Sequence, residues 1–231
     1  MTPAQLKSAS RDLIRVNTPK IFIVGLVYII ITTFISELQF RLPAPITIYE
    51  QLRLGYITID QFSESIRTSG LILSLSLGIM LPSVSIGFKS YCLKLTRKLD
   101  GDYKDLLTGF SMFLKVISLS ITTTVLVMFW TMIFVFPGII AYYKYRQAYY
   151  ILLDDPAKSV MHCIHESKRL MNGKKMELLL VDLSFLGWYV LNIIVLSFII
   201  PIFPVFSIWI TPYYGLTQAA FYNNLLKEVT V

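Results

Sequence analysis

Apolar residues come in long blocks along this chain, and the short stretches between them hold nearly all of the charge. The blocks fall at 21–36, 69–89, 111–136, 139–153, 176–200 and 205–222. Most approach or exceed the ~18–20 residues that carry an α-helix across a bilayer. The first is short, but counted from Pro19, which suits the opening turn of a helix, it reaches 18 residues and about 27 Å at 1.5 Å each. The polar stretches have their own pattern. Residues 1–18 space leucine and isoleucine helically around Lys7, Arg11 and Arg15, which predicts an amphipathic helix on a membrane surface. In 37–68, Thr47 with Glu50 and Thr58 with Gln61 have the spacing of capping boxes, so two short helices are expected. Segments 90–110 and 154–175 read as further amphipathic helices.

Two breaks divide the later blocks: Phe136-Pro137-Gly138 and Pro201-Ile-Phe-Pro204. A proline and a glycine at the edge of hydrocarbon must form a tight turn or kink, because irregular backbone exposed there leaves N–H and C=O groups unpaired. The pattern therefore predicts an all-α fold. It is a single transmembrane domain over 1–231, a polytopic membrane helical bundle of six transmembrane helices in three consecutive hairpins. Of the 21 Lys and Arg, fifteen lie in 1–20, 89–104, 158–175 and the C-terminal tail, and three lie in 37–68. That asymmetry places both termini in the cytoplasm and makes 37–68 an extracytoplasmic loop of a multi-pass plasma-membrane protein.

Composition agrees. The 231 residues are 55% hydrophobic and 15% charged, against about 25% charged in soluble domains. The net charge of +7 sits beside apolar blocks and not in a basic-aromatic module, so no nucleic-acid partner is expected. Cys92 and Cys163 fall in segments assigned to the reducing side, where no disulfide forms. Nothing resembling a cleavage site follows the first block, so it reads as an uncleaved helix.

Three stretches look alike: Ser10-Arg-Asp-Leu-Ile-Arg-Val-Asn17, Tyr103-Lys-Asp-Leu-Leu-Thr-Gly109 and Ser167-Lys-Arg-Leu-Met-Asn-Gly173. Each precedes two crossings, the second of which carries or follows a proline (Pro82, Pro137, Pro212) and reaches tyrosine near its inner end (Tyr91, Tyr149 with Tyr150, Tyr222). The chain reads as three copies of one unit, a surface helix and then a hairpin. Repeats of this kind bracket a central site in transporters. The positive-inside rule and aromatic belts impose a similar pattern without any repeat.

Charge inside an apolar block is costly unless paired or wet. Asp182 lies about two turns into the fifth block and Arg146 about two turns from the inner end of the fourth, so the two match in depth and Asp182 is expected to meet Arg146, with Lys144 as second choice. Such a pair either pins two helices or forms an anionic-ligand or proton site. Lys115 is close enough to the interface to snorkel. Tyr142, Arg146 and Tyr149 share a helical face, and Tyr142 and Tyr145 lie deep enough to line a polar site. His162, His165 and Glu166 share another face, but no second cluster completes a metal site. The chain has no HExxH, phosphate-binding glycine loop or nucleophile elbow. Neither catalysis nor a cofactor is expected.

The run Trp130 through Pro137-Gly-Ile-Ile-Ala-Tyr-Tyr-Lys-Tyr145, with Ser167…Leu170-Met-Asn-Gly-Lys174, Asp182-Leu-Ser-Phe-Leu-Gly-Trp188 and Trp209…Pro212-Tyr-Tyr-Gly…Ala220-Phe-Tyr222, resembles a bacterial integral-membrane family, domain of unknown function 975. The resemblance covers roughly 85–225. It implies six helices, a Gram-positive source and no assigned catalytic residue. A more distant similarity, to the membrane domain fused to some glycerophosphodiester phosphodiesterases, hints at lipid by analogy. The expected function is non-enzymatic binding or translocation of an amphiphilic or anionic ligand, a lipid or a peptide, with membrane lipids as partners. The alternative is an interaction protein, an exporter accessory subunit or an immunity or stress protein, that reaches another membrane protein through its outer loop.

Overall fold

A computed structural model describes residues 2–41, 46–65, 68–198 and 205–230. Every regular element among them is helical. Three helices are long and apolar enough to cross a membrane, over Lys20–Gln39, Gly70–Thr96 and Phe113–Ile133, as a membrane location requires.

The chain opens with α1 (Pro3–Asn17), whose N-cap Thr2 exchanges side-chain and backbone hydrogen bonds with Gln5. Leu6, Ser10 and Ile14 form its buried face. The first long helix, α2 (Lys20–Arg41), leads to two short ones, α3 (Ile46–Arg53) and α4 (Ile59–Ser65), which pack chiefly on each other. Thr58 and Gln61 cap α4 reciprocally. The expected cap pair of Thr47 with Glu50, at the start of α3, rests on Thr47, which lies outside the described side chains.

Next, α5 (Thr68–Thr96) carries Pro82 without breaking. It also continues well past Lys89, where the sequence pattern ends the crossing and starts a surface helix. The reason is packing: Tyr91, Cys92, Leu93 and Leu95 are all buried in the core. What remains of the 90–110 surface helix is a 3-10 turn over Tyr103–Leu107 and the four-residue α6 (Thr108–Ser111). Asp102 caps that turn, and Asp105 anchors it to α5 by accepting from Lys94 Nζ at 2.5 Å. Both α5 and α6 bring backbone against backbone here. A methyl group at Gly87 would lie 2.0 Å from the Leu106 carbonyl oxygen, and one at Gly109 would lie 1.9 Å from that of Ser83.

The helices α7 (Phe113–Ile133) and α8 (Val135–Tyr145) form a hairpin joined by a single extended residue, Phe134. The reversal therefore comes before Phe136-Pro137-Gly138, which the sequence marks as the turn. Pro137 instead occupies the first turn of α8, where its missing N–H costs nothing. Gly138 lets the two helices approach, since a side chain there would meet Thr131 Oγ1 at 2.1 Å. The descending segment is then interrupted at Arg146–Gln147 and resumes as α9 (Ala148–Asp154), so the fourth block is two helices and not one. After Ser159 caps it, α10 (Val160–Leu170) ends near Gly173, whose φ of +73° favours glycine. Two long helices follow, α11 (Lys175–Phe198) and α12 (Val205–Thr230). The Pro201–Pro204 break lies outside the described residues. Pro212 is accommodated inside α12 against Gly25 of α2.

The packing is cyclic. Within the units α2 packs on α5, α7 on α8 and α11 on α12; between units α5 packs on α7, α8 on α11, and α12 back on α2, while α5 and α12 also pack on each other directly. The short segments follow the same rule. The 3-10 turn and α6 lie on α5, α10 lies on α8 and α9, and α1 lies on α12. Each thus covers the second long segment of the preceding unit, and α1 closes the circle onto the last. The core concentrates in the half of the bundle that carries the chain ends, with Tyr91, Ile151, Leu152, Met171, Leu216 and Tyr222 fully buried.

Candidate functional site

A cavity of about 780 Å³ lies at the centre of this ring, and all six long segments line it. From α2 comes Tyr28; from α5, Pro82, Ser85 and Lys89; from α7, Thr123 and Thr124. Tyr142, Tyr145, Arg146, Tyr149 and Tyr150 come from α8, the interruption and α9; α11 adds Tyr189, and α12 adds Tyr214 and Gln218. Tyrosine is the commonest residue of the wall, with seven lining it, and it offers an apolar ring and a polar tip at the same position. Two of its hydroxyls are within reach of a neighbour, Tyr28 of Ser85 at 3.4 Å and Tyr149 of Thr123 at 3.3 Å.

Arg146 meets Asp182, its Nη1 donating to Oδ2 at 2.5 Å. Tyr143 donates to the same oxygen at 2.9 Å, while Tyr214 and Gln218 Nε2 each donate to Oδ1 at 2.9 Å. Four donors fill the carboxylate's acceptor positions. Arg146 Nη2 donates in turn to the Tyr214 hydroxyl. The guanidinium stands 5.3–5.9 Å from the ring centres of Tyr142, Tyr143 and Tyr214, within the range of a cation–π contact. Asp182 is thus held behind the cavity wall and Arg146 forms part of it. The interruption between α8 and α9 falls at the residue that makes this contact.

Of the other residues singled out by sequence, Tyr142 and Tyr145 line the cavity, as does Pro82. Lys144 does not: its ammonium lies near the outer side of Tyr145, 5.7 Å from the ring centre, and its carbonyl accepts from Ser167 of α10 at 2.9 Å. Nor does Lys115, which ties α7 to the loop between α9 and α10 by donating to the carbonyls of Pro156 and Lys158. Gly138 and Pro212 sit at helix contacts, Pro137 sits in the first turn of α8, and none of the three lines the cavity. His162 comes within 3.4 Å of Glu166, which also accepts from Lys158 at 2.8 Å and raises that ammonium's pKa. Burial raises the pKa of the nearby Cys163 thiol. Among the described residues, no group of three or more His, Cys, Asp or Glu is close enough to hold a metal.

Sequence reasoning missed Lys89, Tyr214 and Gln218. Lys89 reads as the end of a crossing, yet it faces the cavity with its ammonium 4.3 Å from the centre of the Tyr149 ring and 5.9 Å from that of Tyr150. The available signal was the apolar Tyr91-Cys92-Leu93 beyond it, which places it inside a helix. Tyr214 and Gln218 are four residues apart on α12, hence on one face.

Below the cavity a second arginine pair joins three helix ends. Arg97 forks onto Asp154 at 2.6 and 2.9 Å, Tyr222 donates to the same carboxylate at 2.8 Å, and Arg97 Nε donates to Asn223 at 3.0 Å. Tyr150 and Tyr222 stack between this network and the cavity, their centres 5.1 Å apart.

Together these features define a class, an all-helical protein of membrane-type helices arranged around a polar, aromatic cavity. Residues 122–229, from within α7 almost to the end of α12, match the model of the family described as Protein of unknown function (DUF975). No curated protein and no solved structure matches the chain.

Proposed function

We propose that the chain is a six-crossing membrane protein with both termini cytoplasmic, and that it binds or moves an anionic amphiphile, a lipid or a peptide, in its central cavity. The observation that carries this reading is a charge imbalance. Two cations face the cavity, and only Arg146 has a carboxylate partner; Lys89 has none among the described residues. An uncompensated ammonium away from bulk water favours an anion strongly. The volume of about 780 Å³ suits a small-molecule group, and the tyrosine wall accepts both apolar and polar parts. The six-crossing topology is supported by the ring of six long segments and by the basic residues gathered at one set of loops. Nothing in the reading requires catalysis.

The test is binding of a fluorescent anionic lyso-lipid to the purified protein in detergent. Saturable binding, weakened about tenfold or more by Lys89→Ala, is the expected result. Binding that never saturates, or that Lys89→Ala leaves untouched, would refute it. If deletion of 44–66 abolishes cellular function while binding persists, the outer loop carries the activity instead.

A further inference from the structure

Gln218 narrows the ligand further. Its Nε2 must face Asp182, because a carboxylate only accepts hydrogen bonds. The amide orientation is therefore fixed, and Oε1 is left over. That oxygen is buried and has no hydrogen-bond partner, on a residue that is 4% exposed and lines the cavity. A buried acceptor without a donor costs about 1–3 kcal/mol, so a ligand that brings an O–H to it gains that much selectivity.

Charge gives the second constraint. Lys89 and Arg146 against Asp182 leave one positive charge, which a monoanion neutralises and a zwitterion does not. Size gives the third: a diacyl lipid is larger than the cavity, so only its headgroup can enter. The wall has a way out for the tails at α7, where Thr124 and Met128 line the cavity and are exposed, Met128 by 59%.

Building on the anionic-amphiphile reading, we infer that the cavity takes the headgroup of a monoanionic phosphodiester lipid that carries a free hydroxyl. Lys89 and the open side of Arg146 contact the phosphate, Gln218 Oε1 accepts from the hydroxyl, and the acyl chains leave past Thr124 and Met128. Choline lipids fail on both counts, since their headgroup is zwitterionic and has no O–H donor.

The experiment measures displacement of the fluorescent lyso-lipid from the purified protein by short-chain phosphatidylglycerol, short-chain phosphatidylcholine and water-soluble glycerophosphoglycerol. Phosphatidylglycerol should compete at least tenfold better than phosphatidylcholine. Lys89→Met should erase that preference, Lys89→Arg should retain it, and Gln218→Met should reduce it severalfold. Thermal unfolding of each variant separates lost selectivity from lost fold. Equal competition by the two lipids, with both still sensitive to Lys89→Met, would overturn the headgroup assignment and leave the broader reading standing. Glycerophosphoglycerol competing as well as its lipid would overturn the lipid origin. Absence of any saturable binding would remove both.

Discussion

Arg146 and Arg97 each pair with an aspartate and share it with a tyrosine of α12, Tyr214 or Tyr222, yet the two assemblies serve different ends. Arg97 spends its fork on Asp154, two nitrogens on two oxygens, and its third on Asn223. That is a closed clamp across the ends of α5, α9 and α12. Arg146 gives Asp182 only one nitrogen, and the carboxylate is completed by Tyr143, Tyr214 and Gln218. Here the acid is saturated and the base is not, so the guanidinium keeps a side turned to the cavity. Similar side chains build a fastening at the bundle end and a partly open polar surface at its centre. The difference lies in which partner's hydrogen bonds run out first.

The sharpest way to break the comparison is to remove Asp182. Asp182→Asn leaves the Arg146 charge buried with weakened compensation and should destabilise by about 3–5 kcal/mol, read as thermal unfolding in detergent. The double variant Arg146→Met with Asp182→Leu should recover much of that stability while losing ligand binding, because an apolar replacement of both partners leaves no charge stranded. If it stays as unstable as Asp182→Asn, packing and not charge holds this site. Asp154→Asn should cost less, about 1–2 kcal/mol, since that pair is more exposed; a loss equal to that at Asp182 would erase the distinction between clamp and wall.

Smallest of all should be Glu228→Gln at the exposed junction of α10, α11 and α12. Lys174 donates to Glu228 and holds its carboxyl below the ordinary value of 4.5. The contribution is therefore complete above pH 4.5 and is lost as the pH falls below it. The variant's stability should depend less on pH in that acid window than the parent's, with no change near neutrality.

The long helices were legible because blocks of apolar residues leave few other folds open, and the Arg146–Asp182 contact because two charges at equal depth have few other partners. Helix ends were harder. Lys89 looks like a terminus by charge alone; only the packing of Tyr91, Cys92 and Leu95 carries α5 beyond it. Pro137 looks like a turn, but proline suits a first helical turn as well as a break, and the neighbouring approach of Gly138 to Thr131 decides between them. The interruption at Arg146–Gln147 has no composition signal at all. The cavity was the least accessible, because it is made by six segments meeting, and Lys89 and Gln218 are far apart in sequence.

The seat of α1 on α12 also bears on how the protein is made. Leu6, Ser10 and Ile14 are translated long before the α12 surface that covers them, including the Thr217 hydroxyl that reaches Ser10 at 3.2 Å. Until α12 is in place, α1 has only its smaller contacts with α2, α5 and α11, and most of its apolar stripe stays uncovered. A chain truncated before residue 205 should therefore leave that stripe open, seen as faster proteolysis within α1 than in the parent.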